Sequence, residues 1–247
     1  MGLDLSFPFV DAWWAGRATT PEIIVGDIDR TLEFIKPYAT TTESWEVGNP
    51  DKDWPDTYDE KLAIVESRVS KTDPDDNGNV EAQPEFGYSV SLFPLGEPST
   101  DRSITTLRFW SGSQAPADGM VYNRVTVNFK KMGNPLTSEP FVKLFGSLSS
   151  IWHPDFVSFS SDGTRELVDV SFTSPRPGLM MWFSDRLPCA PGVKSLGYPR
   201  LGEGVLVDLR SLVEDSDDPV ASLTKVYTQL EGVGAFDPIP PMSPLEH

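Results

Sequence analysis

The stretch from Ser138 to Ser160, SEPFVKLFGSLSSIWHPDFVSFS, constrains the chain more than any other. Ser138 can cap a helix, Glu139 lies at its positive end, and Pro140 is tolerated in the first turn. From there Phe141, Leu144, Phe145, Leu148 and Trp152 recur at helical spacing, so one face is wholly apolar and has to be buried. Pro154 disfavours helical geometry at His153 and ends the run. Asp155 closes the turn, and Val157 and Phe159 begin a strand. The centre of the fold is therefore a helix, a tight corner and a strand.

Upstream, Leu3, Leu5, Phe7 and Phe9 alternate, which predicts a strand over 3–14 that ends in the aromatic corner Trp13-Trp14. Thr20 and Pro21 open an amphipathic helix with Ile24, Ile28, Leu32 and Ile35 inward, ended by Pro37. Trp45 to Trp54 reads as a loop rich in turn residues and acids, and Asp59 to Val69 as a helix with Leu62, Val65 and Val69 inward. Tyr88, Val90 and Leu92 alternate with serines, Ile104 to Trp110 follows, and Val125, Val127 and Phe129 alternate with Arg124, Thr126, Asn128 and Lys130. These are half-solvated strands of an antiparallel meander. Further strands are expected at 156–160, 167–172, 179–183 and 204–209. Asp217-Asp218-Pro219 starts a last helix, with Val220, Leu223, Tyr227 and Leu230 inward and Gly232 at its end. The expectation is one α+β domain over 1–242, an antiparallel sheet covered by about four helices. Strand followed by helix near residue 3 and again near 121 allows two related halves, 1–118 and 119–242. Residues 243–247 read as a tail with a tag remnant.

Composition narrows the chemistry. A lone cysteine, Cys189, excludes an internal disulfide framework and the cysteine-rich zinc patterns. With 37 acidic against 20 basic residues, a net charge of −17 repels nucleic acid and anionic membranes and suits a basic partner. No apolar run reaches membrane-spanning length and no signal-peptide pattern opens the chain, which gives a cytoplasmic reading. With His247 set aside in the tail, only His153 is left as an imidazole base, and no Ser or Cys stands in a nucleophile turn. Gly202-Glu-Gly204 precedes a strand, whereas a phosphate cradle follows one. No catalytic residue and no cofactor is therefore assigned, and the chain reads as a non-enzyme.

Asp73, Asp75, Asn77 and Gly78 match the opening of a calcium loop, but the bidentate acid position is Pro84, with Glu85 one residue late. The segment reads as a solvated acidic turn, with a calcium-modulated binding module as an alternative. A carboxylate-dependent hydrolase is another, because acids are abundant. The contact residues expected for a basic partner are three acidic clusters and one aromatic: Asp51, Asp53 and Asp56; Asp73, Asp75 and Asp76; Glu214, Asp215, Asp217 and Asp218; and Trp54.

The landmarks follow in order: the aromatic-Gly-Arg corner ending at Arg17, Gly87-Tyr-Ser-Val90, Asn123 before Val125, and Ile151-Trp-His-Pro-Asp155. Pro177-Gly-Leu-Met-Met-Trp-Phe183 and Leu201-Gly-Glu-Gly-Val-Leu-Val207 complete them. From about Leu3 to Phe236 this pattern resembles the immunity protein 52 family of bacterial polymorphic-toxin and type VI secretion systems. It departs from the family at Gly178-Leu179, where a Gly-Trp pair is expected, and Trp182 comes three residues later. The resemblance implies an antidote encoded beside a toxin, often a nuclease of restriction-endonuclease type, that neutralises it by binding. The implied partner is that cognate toxin, whose basic active-site groove an acidic protein would occlude.

Overall fold

A strand that follows a helix and lies parallel to the strand before it requires a crossover, and three such crossovers shape this sheet. The computed structural model describes residues 3–36, 44–48, 52–95, 102–114, 123–132, 139–170 and 174–240. In chain order the elements are β1 (Phe9–Trp14), α1 (Pro21–Ile35), β2 (Trp45–Val47), β3 (Lys52–Asp53), α2 (Tyr58–Ser67), β4 (Phe86–Pro94), β5 (Arg102–Ser113) and β6 (Asn123–Met132). Then come α3 (Glu139–Trp152), β7 (Phe156–Ser160), α4 (Asp162–Arg165), β8 (Met180–Ser184), α5 (Ala190–Ser195), β9 (Gly204–Asp208), α6 (Arg210–Glu214) and α7 (Pro219–Glu231). The strands form a nine-stranded sheet in the order β3-β2-β4-β5-β6-β1-β7-β8-β9, with every neighbouring pair antiparallel. The fold is α+β. β1 lies between β6 and β7, so α3 carries the chain over β1, while α1 carries it from β1 to β2 near the far edge and α2 carries it from β3 across β2 to β4. The sheet runs without a break through β5 and β6, on either side of the expected boundary between halves.

One face of the central strands packs on helices. Val10, Ala12 and Trp14 of β1, Val125 and Val127 of β6, Leu107 and Phe109 of β5, and Val90 and Leu92 of β4 are all buried. Above them lie Ile24, Ile28, Leu32 and Ile35 of α1, and Leu144, Phe145, Leu148 and Trp152 of α3, also buried. The helical periodicity read from the sequence therefore identified the right faces. At the other end, Val157, Phe159, Met180 and Trp182 alternate with Phe156, Met181, Phe183, Val205 and Val207, and all of these are buried. Burial of both sets means that the β7–β9 end is covered on both faces, as its nearly continuous apolar strands require. The second face stays open over β4, β5 and β6, whereas Phe9, Asp11 and Trp13 on that side of β1 are buried.

Several expectations are corrected. Residues 3–8 are not a strand: Phe7 has a positive φ of 49° and is 71% exposed, and the ladder starts at Phe9. The Trp45 to Trp54 segment is not simply a loop, because Trp45 and Val47 face the core and extend the sheet beside β4, while Lys52–Asp53 pairs back on β2. Residues 167–170 form no strand. Both neighbours of β7 are taken, by β1 and β8, so Leu167, Val168 and Val170 pack against the core without a ladder. Val69 falls outside α2 and bridges to Tyr88. Seven helices are present among the described residues where about four were expected, because α4, α5 and α6, of four to six residues, are too short to show a helical period. Residues 243–247 lie outside the described residues.

The corner after α3 is densely bonded to distant parts of the chain. His153 takes a left-handed φ of 45° and its N–H still reaches the Ser149 carbonyl, which stops the helix before Pro154. Arg17, buried, donates to the Trp152 carbonyl at 3.2 Å and the His153 carbonyl at 2.9 Å. Asp155, 1% exposed, accepts the Ala15 N–H at 3.0 Å and sits 3.3 Å from the Arg186 guanidinium. Its backbone donates to Trp13 and accepts from Ser184, tying β1 and β8 to the same point. Beside it, the buried Asn123 amide accepts the Ser113 N–H and donates to the carbonyls of Ala15 and Ser113.

Candidate partner-binding surfaces

The acidic residues expected to bind a partner do not converge. Asp53 lies on the edge strand β3, and Asp56 is exposed just before α2. Asp73, Asp75 and Asp76 are exposed in the loop between α2 and β4, held at that side by the Val69 to Tyr88 bridge. Glu214 at the end of α6, and Asp215, Asp217 and Asp218 between it and α7, are exposed after β9. β3 and β9 are the two edges of the sheet, eight strand spacings or roughly 38 Å apart along it. The acids thus form two rims. Asp51 lies outside the described residues.

Local bonding gives some of these groups work of their own. Trp54 is half-buried. Its Nε1 donates to Asp29 at 3.2 Å, and Lys61, 2.8 Å from Asp29, lies 6.0 Å from the centre of its ring. The indole thereby joins the β3 edge to α1 and α2. Asp218 caps α7, accepting the Ala221 N–H at 3.2 Å. The Asp75 carboxylate accepts the Asn79 side-chain amide and the backbone N–H groups of Asn79 and Asn77, bonds that hold its pKa below the ordinary value. Its oxygens close their own turn, with Gly78 at a φ of 79°. Adding about 1 mM calcium, the range of weak extracellular sites, is therefore expected to leave the melting temperature unchanged. Differential scanning calorimetry with and without a chelator reads this directly, and a rise would revive the calcium reading.

Sequence reading passed over the open face of the sheet. Register sets two cross-strand rows there. Ser91, Arg108, Thr126 and Asp11 form one; Ser89, Trp110, Arg124 and Trp13 form the next. Ser89, Ser91, Arg108, Trp110, Arg124 and Thr126 of these rows, with Asn128, Phe9 and Arg165, line an open trough of about 420 Å³, and Asp11 and Trp13 lie buried at its border. Asp11 is 1% exposed, and Arg124 answers it through Nε at 3.1 Å and Nη2 at 2.6 Å. Arg124 also lies 4.8 Å from the centre of the Trp13 ring, and Arg165 lies 5.3 Å from that of Phe9. Arg108 is exposed, and its side chain makes no hydrogen bond or ion pair among the described residues. Trp110 is 46% exposed. The signal was present in the sequence as Arg124, Thr126 and Asn128 on the polar side of β6. Only strand order, however, brings Arg108 and Trp110 of β5 beside them.

Among the described residues no group of three or more His, Cys, Asp or Glu could hold a metal ion, and no helix is long and apolar enough to cross a membrane. Burial pushes the Asp155 carboxyl above its ordinary value against the pull of Ala15, Arg186 and Arg17, and it pushes the Cys189 thiol up to about 11. A thiol held there is poorly suited to nucleophilic work.

No family model matches the chain, and no curated protein matches it. Among solved structures it is similar to a Pseudomonas aeruginosa T6SS protein, PA0821, with 14% identity and a TM-score of 0.52 over 92% of this chain and 76% of that one. At that identity the likeness speaks for the fold: nearly the whole chain follows the architecture of that protein.

Proposed function

We propose that this protein is a T6SS-associated immunity protein that binds a cognate toxin, a nuclease, and neutralises it by covering its functional surface. The observation that carries the reading is the fold shared with a T6SS protein over 92% of the chain. The family landmarks in the sequence add the immunity role. Arg17, Asn123, Trp152 and Asp155 meet around one corner, so the resemblance rests on residues that hold the fold rather than on a catalytic set. The buried acid whose pKa is raised, Asp155, faces Arg186 and Arg17 instead of an open cleft, which favours a binding protein over a carboxylate hydrolase. The acidic rims would steer the protein onto a basic groove and suppress wrong partners.

Co-expression of the neighbouring open reading frame with and without this chain, followed by a pull-down at two salt concentrations, tests the reading. Growth rescue and a one-to-one complex are expected. Association should slow by about tenfold or more between low and physiological salt, and by severalfold in Asp53→Lys/Asp56→Lys, with the melting temperature unchanged. A harmless neighbour that is not retained would overturn the proposal.

A further inference from the structure

We infer that the open face over β4, β5 and β6, bordered by Phe9 of β1, is a docking trough for an acidic segment of the protein partner, an Asp- or Glu-bearing loop whose carboxylates pair with Arg108 and Arg165 beside Trp110. It rests on the neutralisation reading only in taking the toxin as that partner. The acidic rims call for a basic partner surface, so the trough adds a second requirement: an acidic projection between two basic areas.

Charge complementarity carries the argument. Three arginines, Arg108, Arg124 and Arg165, line the trough and no carboxylate among the described residues does; Asp11, which pairs with Arg124, is buried beside it. Asp162, Glu166 and Asp169 line the adjoining recess with Arg165 and Arg176, so the positive field is greatest toward Arg108. The rims do not cancel it. β5 is three strand spacings from β3, and β6 is four from β9, roughly 14 and 19 Å, against a Debye length of about 10 Å at 0.1 M salt.

The geometry favours carboxylate side chains over a small phosphate-like anion. Phosphate cradles present converging backbone N–H groups at a helix start or a nest. Here the backbones of β4, β5, β6 and β1 are committed to the ladder, and the floor offers only the side chains of Ser89, Ser91, Thr126 and Asn128. Guanidinium forks suit planar carboxylates, and Arg124, fixed by Asp11 and stacked on Trp13, shows how the trough holds one rigid. The Arg108 side chain has no such partner among the described residues. Trp110, a large aromatic left exposed next to it, has the character of an interface anchor.

The test uses the isolated protein and a fluorescein-labelled twelve-residue peptide of Glu and Asp interleaved with Gly and Ser, in about 0.1 M NaCl to screen the rims. Fluorescence polarisation should show saturable binding, weakened by about tenfold or more in Arg108→Glu, partly retained in Arg108→Lys and unchanged in Asp53→Lys/Asp56→Lys. Trp110→Ala should weaken it as well, and thermal melts confirm that each variant is folded. No binding at about 1 mM peptide, equal binding by Arg108→Glu, or displacement by inorganic phosphate far below the peptide's own Kd would each overturn the trough. Growth rescue is scored separately. Rescue by the wild type, with Arg108→Glu unchanged in rescue and peptide binding, removes the trough and keeps neutralisation. Peptide binding lost in Arg108→Glu beside a harmless neighbouring gene keeps the trough and removes neutralisation.

Discussion

Asp155→Ala is expected to lose about 3–5 kcal/mol of stability, the cost of breaking a buried ion pair by removing one partner. The change leaves the buried Ala15 N–H without its acceptor and removes the carboxylate that faces Arg186 and Arg17. Asp155→Asn keeps the size and one acceptor oxygen, so it should lose less. The two also separate charge from shape. A carboxyl whose folded pKa lies above its ordinary value of 3.8 binds its proton more readily folded than unfolded. Its contribution is therefore full below 3.8 and is lost as the pH rises through the folded value. The stability difference between wild type and Asp155→Asn should accordingly move against the wild type as the pH rises from about 4. Urea unfolding at a series of pH values measures both effects. A pH-independent difference would show that Arg17 and Arg186 fully offset the desolvation of the carboxylate.

What the sequence made legible was whatever has a period or a stop. The α3 run, its Pro154 end and the β7 strand are visible because helix and strand differ in spacing and because proline forbids the continuation. The side-chain role of Asp155 was not visible. It was read as a turn residue, yet its partner Ala15 lies 140 positions away, a contact that only the placement of β1 beside β7 creates. The segment at 167–170 failed for the opposite reason. Its alternation is real, but a strand also needs a free edge, and the sheet offers none there. Gly178 is a glycine for a reason seen only in space: a Cβ there would collide with the Phe159 carbonyl.

Candidate contact surfaces were harder to read. Acidic clusters stand out in a sequence because like charges are adjacent in it, and the structure then puts them at the two edges of the sheet. Arg108, Trp110, Arg124 and Arg165 are adjacent only through cross-strand register and the turn of α4, so no local spacing announces them. A strand reading yields one polar face at a time. Whether that face is solvent or a binding surface depends on which strands flank it and which layer covers it. Here the β7–β9 end is covered twice, the central face once.

Trp152→Ala is expected to cost about 3–5 kcal/mol, because it empties a large buried volume that its neighbours cannot refill. The indole is 3% exposed and lies between Trp14 at 5.7 Å and Phe109 at 5.5 Å, centre to centre, so it joins α3 to β1 and β5 at once. Its Nε1 donates to the Thr31 hydroxyl at 2.8 Å, and Thr31 in turn donates to the Asp27 carbonyl of its own helix. Trp152→Phe should keep much of the packing and lose the bond, at about 1 kcal/mol beyond the volume term. A double-mutant cycle with Thr31→Val isolates that bond, since Val removes the hydroxyl and restores the shape. Trp152→Ala and Asp155→Ala should not add. Arg17 grips the carbonyls of Trp152 and His153 in the same corner, so once either change loosens it the second has less left to break. Additive losses in chemical denaturation would mean that the helix and the corner are independently stable. Non-additive losses would establish them as one unit holding β1 and β7, of which β1 borders the open face of the sheet.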